Sequence, residues 1–176
     1  MGSTLSVTHL QGLTSGSDAN TIYLDSGHDL HAPGHMIQVV TETLNPTAHF
    51  STTSGSYVTS ANLPSATITP KFSNSKILIH YTHGMQHDNV GQIENTIYRI
   101  ISGGATTDLS GGNTYGLSFK GTTNQSWTET SINWVDSPNT TSPVTYTWYS
   151  RSESSNTIYA SHSGCTWTAV LMEIAQ

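Results

Sequence analysis

The sequence predicts an all-β fold, a jelly-roll sandwich preceded by a short N-terminal β arm. Short β-favouring segments recur along the chain with turn residues between them, and no segment has helical periodicity, which is typical of a sandwich or barrel. Charged residues make up only 9% of the chain, against about 25% in an ordinary soluble domain. The final segment, 167–174, is among the most apolar, and a terminal strand placed centrally in a sheet is typical of a jelly roll. The class is predicted, and the strand order stays open.

Length, charge and cysteine content narrow the function classes. A chain of 176 residues is long enough for one well-buried domain and short for two. The net charge is −6 with five Lys and Arg residues, so we expect neither nucleic-acid binding nor a polybasic membrane contact. The single cysteine, Cys165, rules out an intrachain disulfide, and we interpret it as a buried small hydrophobe. We identify no signal peptide and no apolar run long enough to span a membrane, so export would depend on another route such as lysis.

The first 33 residues differ from the rest of the chain. Residues 3–10 alternate polar and apolar side chains, residues 11–20 form a Gly/Ser turn region, and residues 21–24 form a second short strand. Two such strands cannot bury a core alone. We therefore predict an arm at residues 1–33 and a head domain at residues 34–176.

The stretch 63–80 predicts a strand, a turn and a second strand that resembles a hairpin. Residues 66–69 favour a strand that ends at Pro70, residues 72–75 favour a turn, and residues 76–80 are nearly all apolar. The other predicted strands are 35–44, 49–52, 56–60, 94–101, 115–120, 126–135, 144–150, 157–161 and 167–174. Within 126–135, Trp127 falls on the opposite parity from Ile132 and Trp134, so we expect it on the opposite face of the strand.

Two groups of histidines leave a metal site open. His28, His31 and His35 lie where the arm meets the head, and one imidazole from each of three copies could surround an axial ion. The alternative is that they are polar turn residues. In the second group, His80 and His83 point to opposite faces of a strand, whereas His83 and His87 could meet in a loop. The favoured interpretation of that group is an exposed loop or a subunit contact, and we predict no metal or other cofactor.

No catalytic motif stands out, so we expect that the protein is not an enzyme. Ser, His and Asp are plentiful without a nucleophile-elbow pattern. Asp25 with Asp29, or Glu129 with Asp136, could be proposed as a glycosidase pair, but the sequence does not set their separation. The glycine-rich segments 102–104 and 110–112 lack the lysine and the helix of a phosphate-binding loop.

Eight segments, in order over nearly the whole chain, resemble short virion structural proteins of marine and cyanobacterial bacteriophages, a group described as tail-fibre-like. They are Ser3-Thr-Leu-Ser-Val7, Leu10-Gln-Gly-Leu-Thr14, Pro33-Gly-His-Met-Ile-Gln-Val-Val40, Ala66-Thr-Ile-Thr-Pro70, Ser73-Asn-Ser-Lys-Ile-Leu-Ile79, Ile97-Tyr-Arg99, Asp136-Ser-Pro-Asn-Thr-Thr-Ser142 and Leu171-Met-Glu-Ile-Ala-Gln176. The strand rhythm also resembles the trimeric jelly rolls of the complement and tumour-necrosis-factor type. The resemblance implies a homotrimeric virion component, with the arm at residues 1–33 serving attachment to other virion proteins and trimerisation.

Aromatic residues in the second half are candidate receptor contacts. Tyr115, Trp127 and Tyr149 lie in or near strand ends beside polar residues, and an exposed ring can stack on the apolar face of a sugar. Burial in the core or in a subunit interface is the alternative for each of them. The sequence thus predicts a phage fibre head or surface appendage that contacts host-surface glycans, with a capsid decoration or cement protein without receptor binding as the alternative.

Overall fold

The structure, a computed structural model, describes residues 32–87, 91–122, 124 and 126–176. The predicted arm therefore lies outside the described residues, apart from Ala32 and Pro33. The axial-ion hypothesis for His28 and His31 falls outside them too.

The described residues form eleven strands in two antiparallel sheets. Sheet one has the order β1-β11-β4-β8. Beyond the point where β11 stops pairing with β4, the short strand β10 pairs with β4, and β2 pairs with β10. Sheet two has the order β3-β9-β5, and β6 and β7 pair with the two halves of β5. The strand bounds are β1 Met36–Leu44, β2 Phe50–Thr52, β3 Ser65–Ile68, β4 Lys76–His87, β5 Gly91–Ile101, β6 Thr106–Asp108, β7 Ser118–Thr122, β8 Ser126–Asp136, β9 Val144–Ser152, β10 Ile158–Ser161 and β11 Trp167–Ile174.

The strand pairs show that this sandwich is a jelly roll. Without the short strands β2, β6 and β10, eight strands remain, and the first pairs with the last (β1 with β11). The second pairs with the seventh (β3 with β9), the third with the sixth (β4 with β8) and the fourth with the fifth (β5 with β7). This is the pairing of one long antiparallel hairpin rolled into two sheets, the arrangement of a jelly roll. The predicted fold class is confirmed, and so is the central place of the last strand, between β1 and β4.

The predicted strand, turn and strand at residues 63–80 are confirmed, but their hairpin-like pairing is wrong. Strands β3 and β4 both form, but they lie in different sheets, so the turn between them carries the chain across the sandwich. The carboxylate of Glu173 on β11 holds this turn, accepting backbone N–H groups of Lys71 at 2.8 Å and Phe72 at 3.1 Å. The predicted strand 56–60 is reduced to one bridge, between Val58 and Ser150.

The core lies between the sheets and follows from strand alternation. Burial alternates strictly along β9 and β11, so every second side chain points inward. The largest buried side chains include Trp148, Tyr81, Tyr146, Ile77, Ile79, Ile97 and Ile132. Each buried large apolar side chain contributes roughly 1.5–3 kcal/mol, which offsets part of the conformational entropy lost on folding.

Polar groups also join the two sheets inside the sandwich. Asp136 ends β8 in sheet one, and its carboxylate pairs with the guanidinium of Arg99 on β5 in sheet two at 2.9 Å. The same carboxylate accepts the hydroxyl of Tyr146 on β9 at 2.8 Å. The hydroxyl of Tyr81 on β4 donates to the backbone oxygen of Tyr146, also at 2.8 Å. These bonds satisfy polar groups that would otherwise destabilise the interior.

Candidate functional site

The outer face of sheet one carries a row of apolar side chains that crosses its four long strands, β1, β11, β4 and β8. In register, Val39 on β1 stands opposite Met172 on β11, Met172 opposite Leu78 on β4, and Leu78 opposite Val135 on β8. Val39 is 48% exposed and Val135 is 50% exposed, whereas the two central side chains are half-buried. We call these four residues the apolar row.

The face around the apolar row is nearly free of charge. The next two rows along the sheet are Thr41-Val170-His80-Asn133 and Thr43-Thr168-Thr82-Ser131. The charged residues of this face are Lys76 at one end of β4 and Glu129 near the other end of the sheet. An exposed apolar row on a face with so few charges is typical of an interaction surface.

A cleft opens at the end of this face that carries Glu129. Strand β11 accompanies β4 as far as Thr82, and β10 takes its place from Gln86, so the loop 162–166 lies beside the gap. The residues lining the cleft are Gly84, Met85, Trp127, Thr128, Glu129, Cys165 and Thr166.

Gly84 forms the centre of this cleft because it has no side chain. A Cβ at this position would lie 3.1 Å from both Cβ and Sγ of Cys165, closer than ordinary packing allows. Cys165 itself is half-buried in the loop before β11, so its predicted burial is only partial. Glu129 stands directly opposite Gly84 in the β4–β8 ladder.

Trp127 forms one wall of the cleft and is 56% exposed, on the outer face of β8 as its parity predicts. Its ring contacts the imidazole of His162 edge to face, with 4.0 Å between centroids. Nδ1 of His162 donates to the backbone oxygen of Ser163 at 2.7 Å, which orients that imidazole. His49 also packs on His162, with 3.9 Å between ring centroids. The indole is therefore supported by His162 while much of its surface faces solvent.

The other two predicted contact residues lie on sheet two, so the three do not form one site. Tyr149 is half-buried on the outer face of β9, with its ring 4.2 Å from that of Tyr98. Tyr115 is 48% exposed and packs on Phe119 with 5.0 Å between centroids. Among these residues, Trp127 is the one that borders a cleft on sheet one.

An ionic and aromatic cluster accompanies Tyr149 on sheet two. The guanidinium of Arg151 pairs with the buried carboxylate of Glu94 at 2.5 Å and lies 4.6 Å from the centre of the Tyr57 ring. Burial raises the pKa of Tyr57 to about 12, with the Arg151 charge opposing that rise. The guanidinium of Arg151 therefore bonds to groups of its own domain.

The histidines of β4 separate as their parity predicts, but the favoured loop or subunit-contact role is wrong for His83. His80 lies on the outer face, with Nδ1 bonded to Oδ1 of Asn133. His83 is 2% exposed inside the sandwich, edge-on to Trp148 at 5.0 Å, and burial lowers its pKa to about 4. Because β4 continues to residue 87, His83 faces the core rather than a loop.

Two predicted alternatives, a metal site and a glycosidase pair of carboxylates, can be compared with the described part of the chain. No three His, Cys, Asp or Glu side chains come together there as a metal site, and His35 is exposed. Glu129 points outward from β8, whereas Asp136 is buried in its ion pair, so these two carboxylates do not face one cleft. Asp25 and Asp29 lie outside the described residues. The described residues also contain no helix long and apolar enough to cross a membrane.

The fold and its outer face define an all-β jelly-roll protein. No family model matches the chain, and no curated protein matches it. Among solved structures, the chain is similar to the infectious bursal disease virus VP2 subviral particle, with 20% identity, a TM-score of 0.48, and coverage of 97% of this chain and 41% of the other. It is also similar to the structure of the Gx strain of that virus, with 16% identity, a TM-score of 0.41, and coverage of 92% and 46%. The chain thus spans less than half the length of these structures, and the scores are too low to carry an argument about function.

Proposed function

We propose that this protein is a virion structural protein, a homotrimeric fibre head or surface appendage that contacts glycans of the host surface. The observation that carries the proposal is the apolar row across the outer face of sheet one. The resemblance of the sequence to tail-fibre-like phage proteins supports a place on the particle surface. Jelly rolls are common both in viral capsid proteins and in lectins, which agrees with this assignment.

The occupant proposed for the apolar row is a second copy of the same chain. In a trimer, residues at the three-fold axis meet their own copies, so a charge placed there would face its own like. The rows between Lys76 and Glu129 avoid this because they hold only apolar and neutral polar side chains. Val39 and Val135 expose about half of their surface, which association would remove from water. The resemblance to trimeric jelly rolls supports three copies.

The arm at residues 1–33 is proposed to add strands between subunits and to dock the trimer on other virion proteins. Deletion of residues 1–33 tests this role, with native mass and attachment to particles as readouts. Loss of attachment supports the role. If the protein without residues 1–33 still forms trimers and attaches to particles, the proposed role of the arm is ruled out.

A cell-binding measurement tests the function as a whole. Fluorescently labelled, mass-checked oligomer is added to cultured marine cyanobacteria and to phage particles stripped of the protein. Saturable binding to cells supports the attachment role. Binding to stripped particles without binding to any cell would instead support the alternative, a capsid decoration or cement protein without a receptor.

A further inference from the structure

We propose that the cleft beside Trp127 is a carbohydrate subsite that accepts an uncharged pyranose sugar and discriminates against acidic sugars. This inference deepens the proposed host-glycan contact and rests on it. The cleft provides an aromatic platform, an exposed carboxylate and room for a ring, and none of its lining residues is a lysine or an arginine.

The platform is the indole of Trp127. Apolar faces of sugars stack on aromatic rings, and binding is tighter when the ring is already fixed, because less side-chain freedom is lost. His162 fixes this ring from one side, and the backbone oxygen of Ser163 orients His162. The exposed part of the ring borders the cleft.

Glu129 supplies the polar contact. It lies two residues beyond Trp127 on the same outer face of β8, so the carboxylate and the ring border one space. An ionised carboxylate accepts hydrogen bonds from sugar hydroxyls and can accept two from neighbouring hydroxyl groups.

Gly84 lines the cleft between β8 and the loop that carries Cys165. It stands opposite Glu129 on the adjacent strand and places no side chain on this face. A Cβ there would lie 3.1 Å from Cβ and Sγ of Cys165, so a larger residue would push Cys165 away and change the shape of the cleft. The cleft has a volume of about 430 Å³, which is enough for a pyranose ring.

Charge determines which sugars fit. None of the five Lys and Arg residues lines the cleft, and the chain carries a net charge of −6. Arg99 and Arg151 are paired with Asp136 and Glu94. Lys76 lies at the far end of β4, roughly 26 Å from Gly84 at about 3.3 Å per residue. The carboxyl group of an acidic sugar would thus meet Glu129 with no Lys or Arg among the lining residues to compensate its charge.

The test uses the purified full chain at pH 7.5 and saturation-transfer NMR against lactose, maltotriose, mannotriose, triacetylchitotriose, 3′-sialyllactose and trigalacturonic acid. We expect at least one neutral sugar to bind saturably, and the acidic sugars to bind at least tenfold more weakly. Trp127→Ala should weaken neutral-sugar binding at least tenfold, and Trp127→Phe should restore part of it. Trp134→Ala, on the same strand, is the matched control and should bind as the wild type does.

Two further variants test the shape of the cleft and the selectivity. Gly84→Ala should weaken binding of the same neutral sugar, and Glu129→Gln should narrow the preference for lactose over 3′-sialyllactose. Circular dichroism and thermal unfolding verify that each variant is folded. The proposal is overturned if no neutral sugar in the panel binds, if Trp127→Ala binds like the wild type, or if acidic sugars bind equally well.

The same variants separate this site from the proposed function. If Trp127→Ala binds neutral sugars and cells as the wild type does, the subsite is overturned while host attachment stands. If the wild type binds neutral sugars through Trp127 but binds no cell, the subsite stands and the attachment role is overturned.

Discussion

The carboxylate of Asp136 and the guanidinium of Arg99 form an ion pair across the sandwich, 2.9 Å apart, and join the end of β8 to β5 near the end of that strand. Both side chains are largely buried, and Tyr146 donates a further hydrogen bond to the same carboxylate. Removal of one partner from such a pair leaves the other charge without compensation.

Asp136→Asn should lower the free energy of unfolding by about 2–4 kcal/mol, because Arg99 keeps its charge and loses its anionic partner. Urea unfolding at fixed protein concentration measures the change. Glu153→Gln, at an exposed position, is the control and should remain within about 0.5 kcal/mol of the wild type. A loss below 1 kcal/mol for Asp136→Asn would mean that the pair does little to hold the two sheets together.

Glu173 should act as a clamp on the turn between β3 and β4. Burial opposes its ionisation, but hydrogen bonds from Gln38, Lys71 and Phe72 outweigh that effect and hold the pKa of Glu173 below its ordinary value. Glu173→Gln should lower the free energy of unfolding by about 2 kcal/mol. Because the folded-state pKa is depressed, the stabilisation is present above the unfolded pKa and is lost as the pH falls through the folded value. Equal pH dependence in the variant and the wild type below pH 4.5 would contradict this role.

His83 should make the fold sensitive to acid. Its pKa is about 4 in the folded state because the neutral ring is buried, against 6.5 in the unfolded chain. The unfolded state therefore gains a proton first, and stability should fall by roughly 2–3 kcal/mol as the pH drops from 7 to 4.5. His83→Leu should remove this part of the pH dependence, whereas His80→Gln, on the outer face, should keep it. Parallel curves for wild type and His83→Leu would show that His83 does not titrate in this way.

Local sequence patterns predicted most of the strands but not which strands pair with each other. Alternation placed Trp127 and Ile132 on opposite faces of β8, and the structure agrees. A strand-turn-strand pattern is the same for a hairpin and for a crossing between sheets, so the hairpin prediction at residues 63–80 failed. For His83 the signal was present, because it shares the parity of the apolar residues Ile77 and Ile79.

The apolar row and the cleft could not be predicted from the sequence and were found only in the structure. The apolar row brings together Val39, Leu78, Val135 and Met172, which come from four strands far apart in the chain. The cleft depends on where β11 stops pairing with β4, and such long-range register leaves no local mark in the sequence.

A charge placed in the apolar row tests whether the protein associates with itself through that row. Val135→Asp should dissociate the oligomer without unfolding the chain, because Val135 is half exposed and lies on an edge strand. Thr67→Asp places the same charge on an exposed position of sheet two and should leave the oligomer intact.

Native mass spectrometry of the wild type and these two variants is the most direct measurement. We expect three times the 18.9 kDa chain mass for the wild type and for Thr67→Asp, and the mass of a single folded chain for Val135→Asp. A monomeric wild type, or a Val135→Asp protein that keeps the mass of three chains, would contradict self-association through the apolar row.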